Sequence, residues 1–262
     1  MSSLSYSLRD SATMLRRDIR HSQRYLMITL SGVLTPIIML ALFNYFFGGA
    51  IGAGLGNVAH GGAYINYLAP GIIIMTVGSG CATTAINLCT DMSEGIIARF
   101  RTMAISRASV LTGQVIGSMI RTMISVALVT GVALIMGFRP TASLIEWIAA
   151  AGIVALVALA VTWMGVVFGL VGKTPAGANS LSLIFLILAF TSSAFVSPAS
   201  IPAGIRWFAE YQPFTPVIDT LRGLLLGTPI GNSAILAVAW CIGLALVGYI
   251  LARVVYSRNP AR

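Results

Sequence analysis

The chain has 262 residues, 57% of them hydrophobic and only 9% charged, with a net charge of +9 and a mean hydropathy of +0.92. A soluble domain carries about 25% charged residues, so too few polar side chains are present here to coat a water-soluble globule. Lipid is the solvent that long uncharged runs require, and the composition implies an all-α integral membrane protein. Nucleic acid is excluded as the partner of the positive charge, because the basic residues flank apolar runs, as anionic lipid headgroups favour, and do not alternate with stacking aromatics.

Taken in chain order, residues 4–24 place Leu4, Leu8, Ala12, Leu15 and Ile19 within an arc of roughly 80°, with Arg9, Arg16, Arg17, Arg20 and Arg24 on the other side. This predicts an amphipathic interfacial helix on the cytoplasmic leaflet, occupying 1–25. Leu26–Phe47 follows, 22 residues without a charge, or about 33 Å of helix against a hydrocarbon core of about 30 Å. It is too long for a signal-peptide core and no small-x-small cleavage site follows it, so it reads as a retained first span. Tyr64–Leu88, Ser109–Gly137 (interrupted by Arg121), Trp147–Val171, Ala178–Val196 and Ser233–Ala252 are the further runs. Together they predict a six-helix transmembrane domain over 26–262. Residues 198–230 are rich in proline and aromatics and carry Glu210, Asp219 and Arg222, which an isolated span would not tolerate cheaply. They read as an outer re-entrant hairpin of two short helices before the last span. No internal repeat of the inverted-transporter kind is evident.

The basic residues orient this arrangement. With the N-terminus inside, twelve lie on the cytoplasmic side: Arg9, Arg16, Arg17, Arg20, Arg24, Arg99, Arg101, Arg107, Lys173, Arg253, Arg258 and Arg262. Three lie outside, namely Arg139, Arg206 and Arg222, while Arg121 falls within a span. That is a positive-inside distribution, and it predicts a multi-pass protein of the cell (plasma) membrane with both termini cytoplasmic.

Polar residues inside the spans are few. Gln114, Ser118, Arg121 and Ser125 fall within roughly 60° of one another on a helical projection, and Thr76, Gly80, Thr83 and Asn87 form a second small and polar stripe. An arginine inside a membrane faces protein or water. Gln114, Ser118, Arg121, Ser125, Thr83 and Asn87 are therefore candidate pathway residues. The alternative is that Arg121 snorkels to the cytoplasmic interface and pairs with Asp91 or Glu94. Helix packing is the competing account of the small-residue stripe and of the pairs Gly113/Gly117 and Gly165/Gly169. Cys81, Cys89 and Cys241 lack metal-like spacing and read as small hydrophobes, and His21 and His60 stand alone, so no metal site is predicted. Gly172-Lys173-Thr174 lacks the first glycine of a P-loop, since Val167 occupies that position. Gly78-Ser79-Gly80 lacks both the nucleophile-elbow pattern and a histidine base within a span. No catalytic residue is predicted.

The segment Asp91-Met-Ser-Glu94-Gly-Ile-Ile-Ala-Arg99-Phe100-Arg101 is the most informative. Asp91 and Glu94 resemble a capping box, which predicts a short helix starting there. Ile96, Ile97, Phe100, Met103 and Ala104 share a stripe flanked by Arg99 and Arg101, suited either to an interfacial helix or to docking a cytoplasmic partner. Glu94-Gly95, Arg99-Phe100-Arg101 and Ile105-Ser106-Arg107 together resemble the coupling-helix segment of type-2 ABC exporter permeases, and among them the daunorubicin/doxorubicin-resistance permease subfamily. The stretch Gln212-Pro213-Phe214-Thr215-Pro216-Val217-Ile218-Asp219-Thr220-Leu221-Arg222 is similar to that group's outer re-entrant motif. Ala104 departs from the pattern, which has proline there.

The resemblance implies a permease half without enzymatic activity, which binds no cofactor itself. ATP and Mg would be held by two partner ABC ATPase subunits, and a second permease half, the same or a similar chain, would complete the complex. It implies that the cytoplasmic loop 89–108, through Asp91, Glu94, Arg99, Phe100 and Arg101, couples to the ATPase. Pro213, Pro216, Asp219 and Arg222 would form the outer motif. The aliphatic spans favour hydrophobic or amphiphilic cargo (a drug, antibiotic or lipid). The alternatives are a polysaccharide or teichoic-acid type exporter, or a non-transporting membrane anchor.

Overall fold

Apolar side chains in this protein must find either one another or lipid, and that division organises the helices. The computed structural model describes residues 26–47, 64–93, 107–195 and 203–258. Helix α1 (Leu26–Leu42) carries Pro36 and runs on into a π-helical turn, Phe43–Phe47. It is followed by α2 (Tyr64–Ser93), α3 (Arg107–Ile135), α4 (Leu144–Val171), α5 (Pro175–Phe190), α6 (Ala203–Tyr211), α7 (Phe214–Leu226) and α8 (Ser233–Arg258). Helix α2 is the axis of the bundle and packs on α1, α3, α4, α5 and α7. Its residues from Tyr64 to Gly78 are buried almost without a break. By contrast α8 touches chiefly α4 and α7 and turns Ile235, Leu246 and Ile250 outward, as a lipid-facing helix should.

Close approach of backbones is made at small residues. A Cβ on Gly165 would lie 2.8 Å from the Cys81 carbonyl oxygen, and one on Gly169 would lie 2.8 Å from that of Ala85. The pair Gly165/Gly169 therefore brings α4 onto α2, the packing use of a small-xxx-small pair. Helix starts follow local chemistry. Ser143 caps α4 through a reciprocal box with Glu146, and Thr174 caps α5 with Pro175 in its first turn.

The expectation of six spans is not met. Four helices among the described residues are long and apolar enough to cross a membrane: Tyr64–Ser93, Thr112–Ile135, Leu144–Val171 and Ser233–Ser257. Gly32–Phe46 and Pro175–Phe190 are shorter; the 16 residues of α5 rise only about 24 Å. The sequence run Ala178–Val196 is uncharged throughout, but its helix stops at Phe190 because hydroxyls take over the backbone. Ser192 Oγ donates to the Ala189 carbonyl, the Ala194 amide donates to Ser192 Oγ, and the Ser193 amide donates to Thr215 Oγ1.

The outer re-entrant hairpin is corrected too. Residues 203–226 form two short helices of unlike burial instead of a hairpin. On α6, Ile205, Trp207, Phe208 and Tyr211 are exposed, whereas α7 buries Phe214, Val217, Ile218, Leu221 and Leu225 against α2, α4 and α8. The better burial available against three long helices decides where α7 packs. The amphipathic segment 1–25 lies outside the described residues.

Candidate functional site: a polar cavity midway along two membrane helices

Ser79 stands 15 residues from the start of α2 and 14 from its end, and Arg121 stands 14 residues from either end of α3. At 1.5 Å per residue each is about 21 Å from the helix ends. Around these two positions α1, α2 and α3 line a half-open cavity of about 40 Å³, room for a few water molecules. Its walls are Gly32 of α1; Thr76, Ser79, Gly80, Thr83 and Thr84 of α2; and Ser118, Arg121, Thr122 and Ser125 of α3.

The polar groups in this cavity are ordered by their own helices. Arg121 Nη2 donates to Ser118 Oγ at 2.9 Å, one turn back. On α2, Thr76 donates to the Ile72 carbonyl at 2.8 Å, Ser79 to that of Thr76 at 2.7 Å, and Thr84 to that of Gly80 at 2.8 Å. Thr83 reaches the Ser79 carbonyl at 3.4 Å. Such i−3 and i−4 bonds are common for hydroxyls on a helix, and they use the hydroxyl proton while leaving the oxygen able to accept. Gly80 keeps the two walls close, since a Cβ there would meet Thr122 Oγ1. Of the predicted pathway residues, Thr83, Ser118, Arg121 and Ser125 line the cavity. Asn87 and Gln114 do not; they lie toward the helix ends that flank residues 94–106, and the Gln114 Nε2 is buried without a partner among the described residues. Sequence reasoning missed Ser79, Thr84 and Thr122 as lining groups, although each lies one residue from a predicted or stripe position.

A second polar cluster ties the outer motif residues together. Arg222 Nη1 donates to Asp219 Oδ1 at 2.9 Å, and Nη2 donates to the carbonyls of Ser193 at 3.0 Å and Tyr67 at 3.2 Å. The guanidinium lies 4.0 Å from the centre of the Tyr67 ring. Ser193 Oγ donates to the same Asp219 oxygen at 2.8 Å. Burial pushes the Asp219 carboxyl above the ordinary carboxylate range, while the Arg222 charge and the Ser193 hydroxyl pull it back. Pro213 precedes α7 as its cap residue, and Pro216 is buried in the first turn, where its carbonyl accepts from Thr220. This cluster fastens α7 to α2 and to the turn after α5.

Asp91 lies in the last turn of α2 as described, Tyr64–Ser93, and the short helix expected to start from it falls outside the described residues. Glu94, Arg99, Phe100 and Arg101 lie outside the described residues.

A bundle of long lipid-facing helices around a polar cavity halfway along them is the build of a multi-pass membrane permease. The chain belongs to the ABC-2 type transporter family, whose sequence profile matches residues 10–226. It is 27% identical over 215 residues to the daunorubicin resistance ABC transporter permease protein DrrB1 of Streptomyces coeruleorubidus, covering 82% of this chain and 71% of the relative. It is 25% identical over 235 residues to the probable doxorubicin resistance ABC transporter permease protein DrrC of Mycobacterium tuberculosis, covering 88% and 82%. The inner membrane transport permease YadH of Escherichia coli is 24% identical over 209 residues, covering 78% and 79%. As a member of this family the chain is a non-catalytic transport subunit.

Proposed function

We propose that this chain is the membrane half of an ATP-driven exporter that moves hydrophobic or amphiphilic compounds (drug, antibiotic or lipid) out of the cell. The observation that carries the reading is the cavity of Arg121 and its hydroxyls, set midway along α2 and α3 in an otherwise aliphatic bundle. A charge at the bilayer centre costs about 2.5–3.5 kcal/mol on insertion scales, and such a cost is kept where the residue meets cargo or braces its route. The printed names of two relatives, daunorubicin and doxorubicin resistance permeases, support cargo of this kind.

Two ABC ATPase subunits and a second permease half, the same or a similar chain, complete the proposed complex. The cytoplasmic loop 89–108 is its coupling element, and the arginine-rich segments at both ends of the chain lie on the cytoplasmic side of the plasma membrane. The arginines at 9–24, 99–107 and 253–262 support that placement. The test is reconstitution with the ATPase in liposomes and measurement of ATP-dependent movement of daunorubicin and of a fluorescent phospholipid. Movement of at least one, abolished when the ATPase is omitted, is expected. Failure of every amphiphile tried to move or to stimulate hydrolysis refutes the reading.

A further inference from the structure

We infer that α6 is an interfacial helix, lying along one leaflet with its aromatic side seated where phospholipid headgroups meet acyl chains. In the proposed orientation that leaflet is the outer one; the docking itself does not depend on the exporter reading. Its first support is the pattern of side chains. At roughly 100° per residue, Trp207, Phe208 and Tyr211 share an arc of roughly 100°, and Arg206 and Glu210 form a second stripe roughly 130° from it. The residues of the aromatic arc are exposed, whereas Ala209, and Gln212 just beyond the helix, are buried against the bundle. One side of α6 is thus held by protein, and the other two call for unlike solvents.

The second support is charge. Arg206 Nε donates to Glu210 Oε1 at 2.7 Å, one turn on, so the polar stripe is neutral as a pair and calls for no charged partner. What stays uncovered is aromatic: Trp207 is 70% and Tyr211 54% exposed, with their rings 6.4 Å apart. Trp and Tyr gather at headgroup level because a ring with one polar atom suits a boundary that is apolar on one side and wet on the other. A basic helix would be drawn to anionic lipid. This one suits a zwitterionic surface.

The third support is depth. Trp240 of α8 is partly exposed, and its Nε1 donates to the Tyr211 carbonyl at 3.1 Å. The Ala209 carbonyl accepts from Thr215 Oγ1, which itself accepts from the Ser193 amide. These bonds pin the end of α6 to α8 and to the turn after α5. Helix α8 has 26 residues and rises about 39 Å against a hydrocarbon core of about 30 Å. Trp240 is its eighth residue; with α8 centred in the core, it sits about 6 Å below the core's edge. Interfacial helices bury their apolar faces about 5–10 Å into that boundary. Side chains on a helix lean toward its N-terminus, so the Trp240 ring leans toward the surface. Through it α6 adjoins the lipid-facing surface of α8, where Ile235, Leu236 and Ile242 are exposed.

The test uses the full-length permease in phosphatidylcholine nanodiscs. Of the four tryptophans, Trp147→Phe with Trp163→Phe leaves Trp207 and Trp240, and adding Trp207→Phe isolates Trp240. The difference between these two proteins reports Trp207 while the Trp240 bond is kept. Quenching is measured with phosphatidylcholine carrying a nitroxide at the headgroup, near the top of the acyl chain or near its middle, and with aqueous iodide. The expected result is strongest quenching from near the top of the chain, a fitted depth of about 5–10 Å and weak quenching by iodide. Replacing part of the lipid with phosphatidylglycerol should leave that depth unchanged.

A nitroxide attached at Arg206→Cys or at Phe208→Cys gives a second reading with every tryptophan in place, the native cysteines being buried. Collision with oxygen should dominate at Phe208, and collision with a water-soluble nickel chelate at Arg206. Quenching of Trp207 by iodide and not by lipid overturns the inference in favour of a surface open to water. Strongest quenching from the chain middle overturns it in favour of a helix that dips into the core. Silence of every quencher overturns it in favour of cover by a second copy or another protein. Equal access of the nickel chelate to both positions removes the two-sided helix. None of these outcomes bears on the exporter reading.

Discussion

Replacing Arg222 by methionine keeps an unbranched stem and removes the guanidinium, so it tests what the outer cluster contributes. The change deletes the bonds to Asp219, Ser193 and Tyr67 and the stacking over the Tyr67 ring, and it leaves Asp219 with Ser193 alone. An exposed ion pair is worth about 0–1 kcal/mol, whereas stripping one partner from a buried pair costs about 3–5 kcal/mol. The side chains here are 12% and 37% exposed for Arg222 and Asp219, which places the pair between those limits, at about 2–3 kcal/mol. For a chain of this size that corresponds to a fall of about 5–10 °C in the apparent Tm, read by size-exclusion recovery after stepwise heating in detergent. Asp219→Asn keeps an oxygen for both donors and should cost less than half as much. The double variant should cost less than the sum of the singles, because each single change strands the other's partner. A Tm for Arg222→Met within a degree of wild type, or strictly additive losses, would refute the argument.

In the same heating assay Gly169→Ala should lose about 1–3 kcal/mol, because its Cβ would press on the Ala85 carbonyl at 2.8 Å and on Leu88 Cβ at 3.0 Å. Gly152→Ala, where a Cβ meets nothing within 4 Å, should be neutral or slightly stabilising; equal behaviour of the two variants would discard the packing role of Gly169. In the proposed coupling loop, Glu94→Lys and Phe100→Asp should leave membrane insertion intact yet reduce copurification of the ATPase about tenfold or more, and abolish substrate-stimulated hydrolysis. Wild-type coupling in both would remove the loop from that role. A cysteine at Ser106 should react with an impermeant maleimide only after permeabilisation, the native Cys81, Cys89 and Cys241 being buried; labelling in intact cells would reverse the proposed orientation.

The membrane class was legible from composition alone, because a shortage of charged residues admits few solvents. Family membership was legible too, because it rests on local strings such as Glu94-Gly95 and Gln212-Pro213-Phe214-Thr215-Pro216, which need no tertiary information to read. Part of the cavity could also be read: helical periodicity puts Ser118, Arg121 and Ser125 on one stripe, and Thr76, Gly80 and Thr83 on another. Ser143-x-x-Glu146 was an available capping signal for α4 that hydropathy, starting that run at Trp147, passed over.

Hydropathy could not say where an uncharged run stops being helix. Thr191-Ser192-Ser193 counts as membrane-compatible by charge, but the helix ends there because Ser192 and Ser193 bond backbone groups and residues of α7, more than twenty positions away. The run of aromatics and prolines before α8 suggested a hairpin, and long-range burial against α2, α4 and α8 placed α7 elsewhere. Nor could periodicity rank the polar stripes by depth or register. Asn87 and Gln114 share faces with lining residues but miss the cavity, whereas Ser79, Thr84 and Thr122 belong to it because of the level at which α2 and α3 meet, which Gly80 against Thr122 marks. Solvent class and helical faces depend on residues near one another in the chain and so were set by the sequence itself. Helix ends, depth and the meeting of two faces depend on partners distant in sequence, and only the packed tertiary structure decided them.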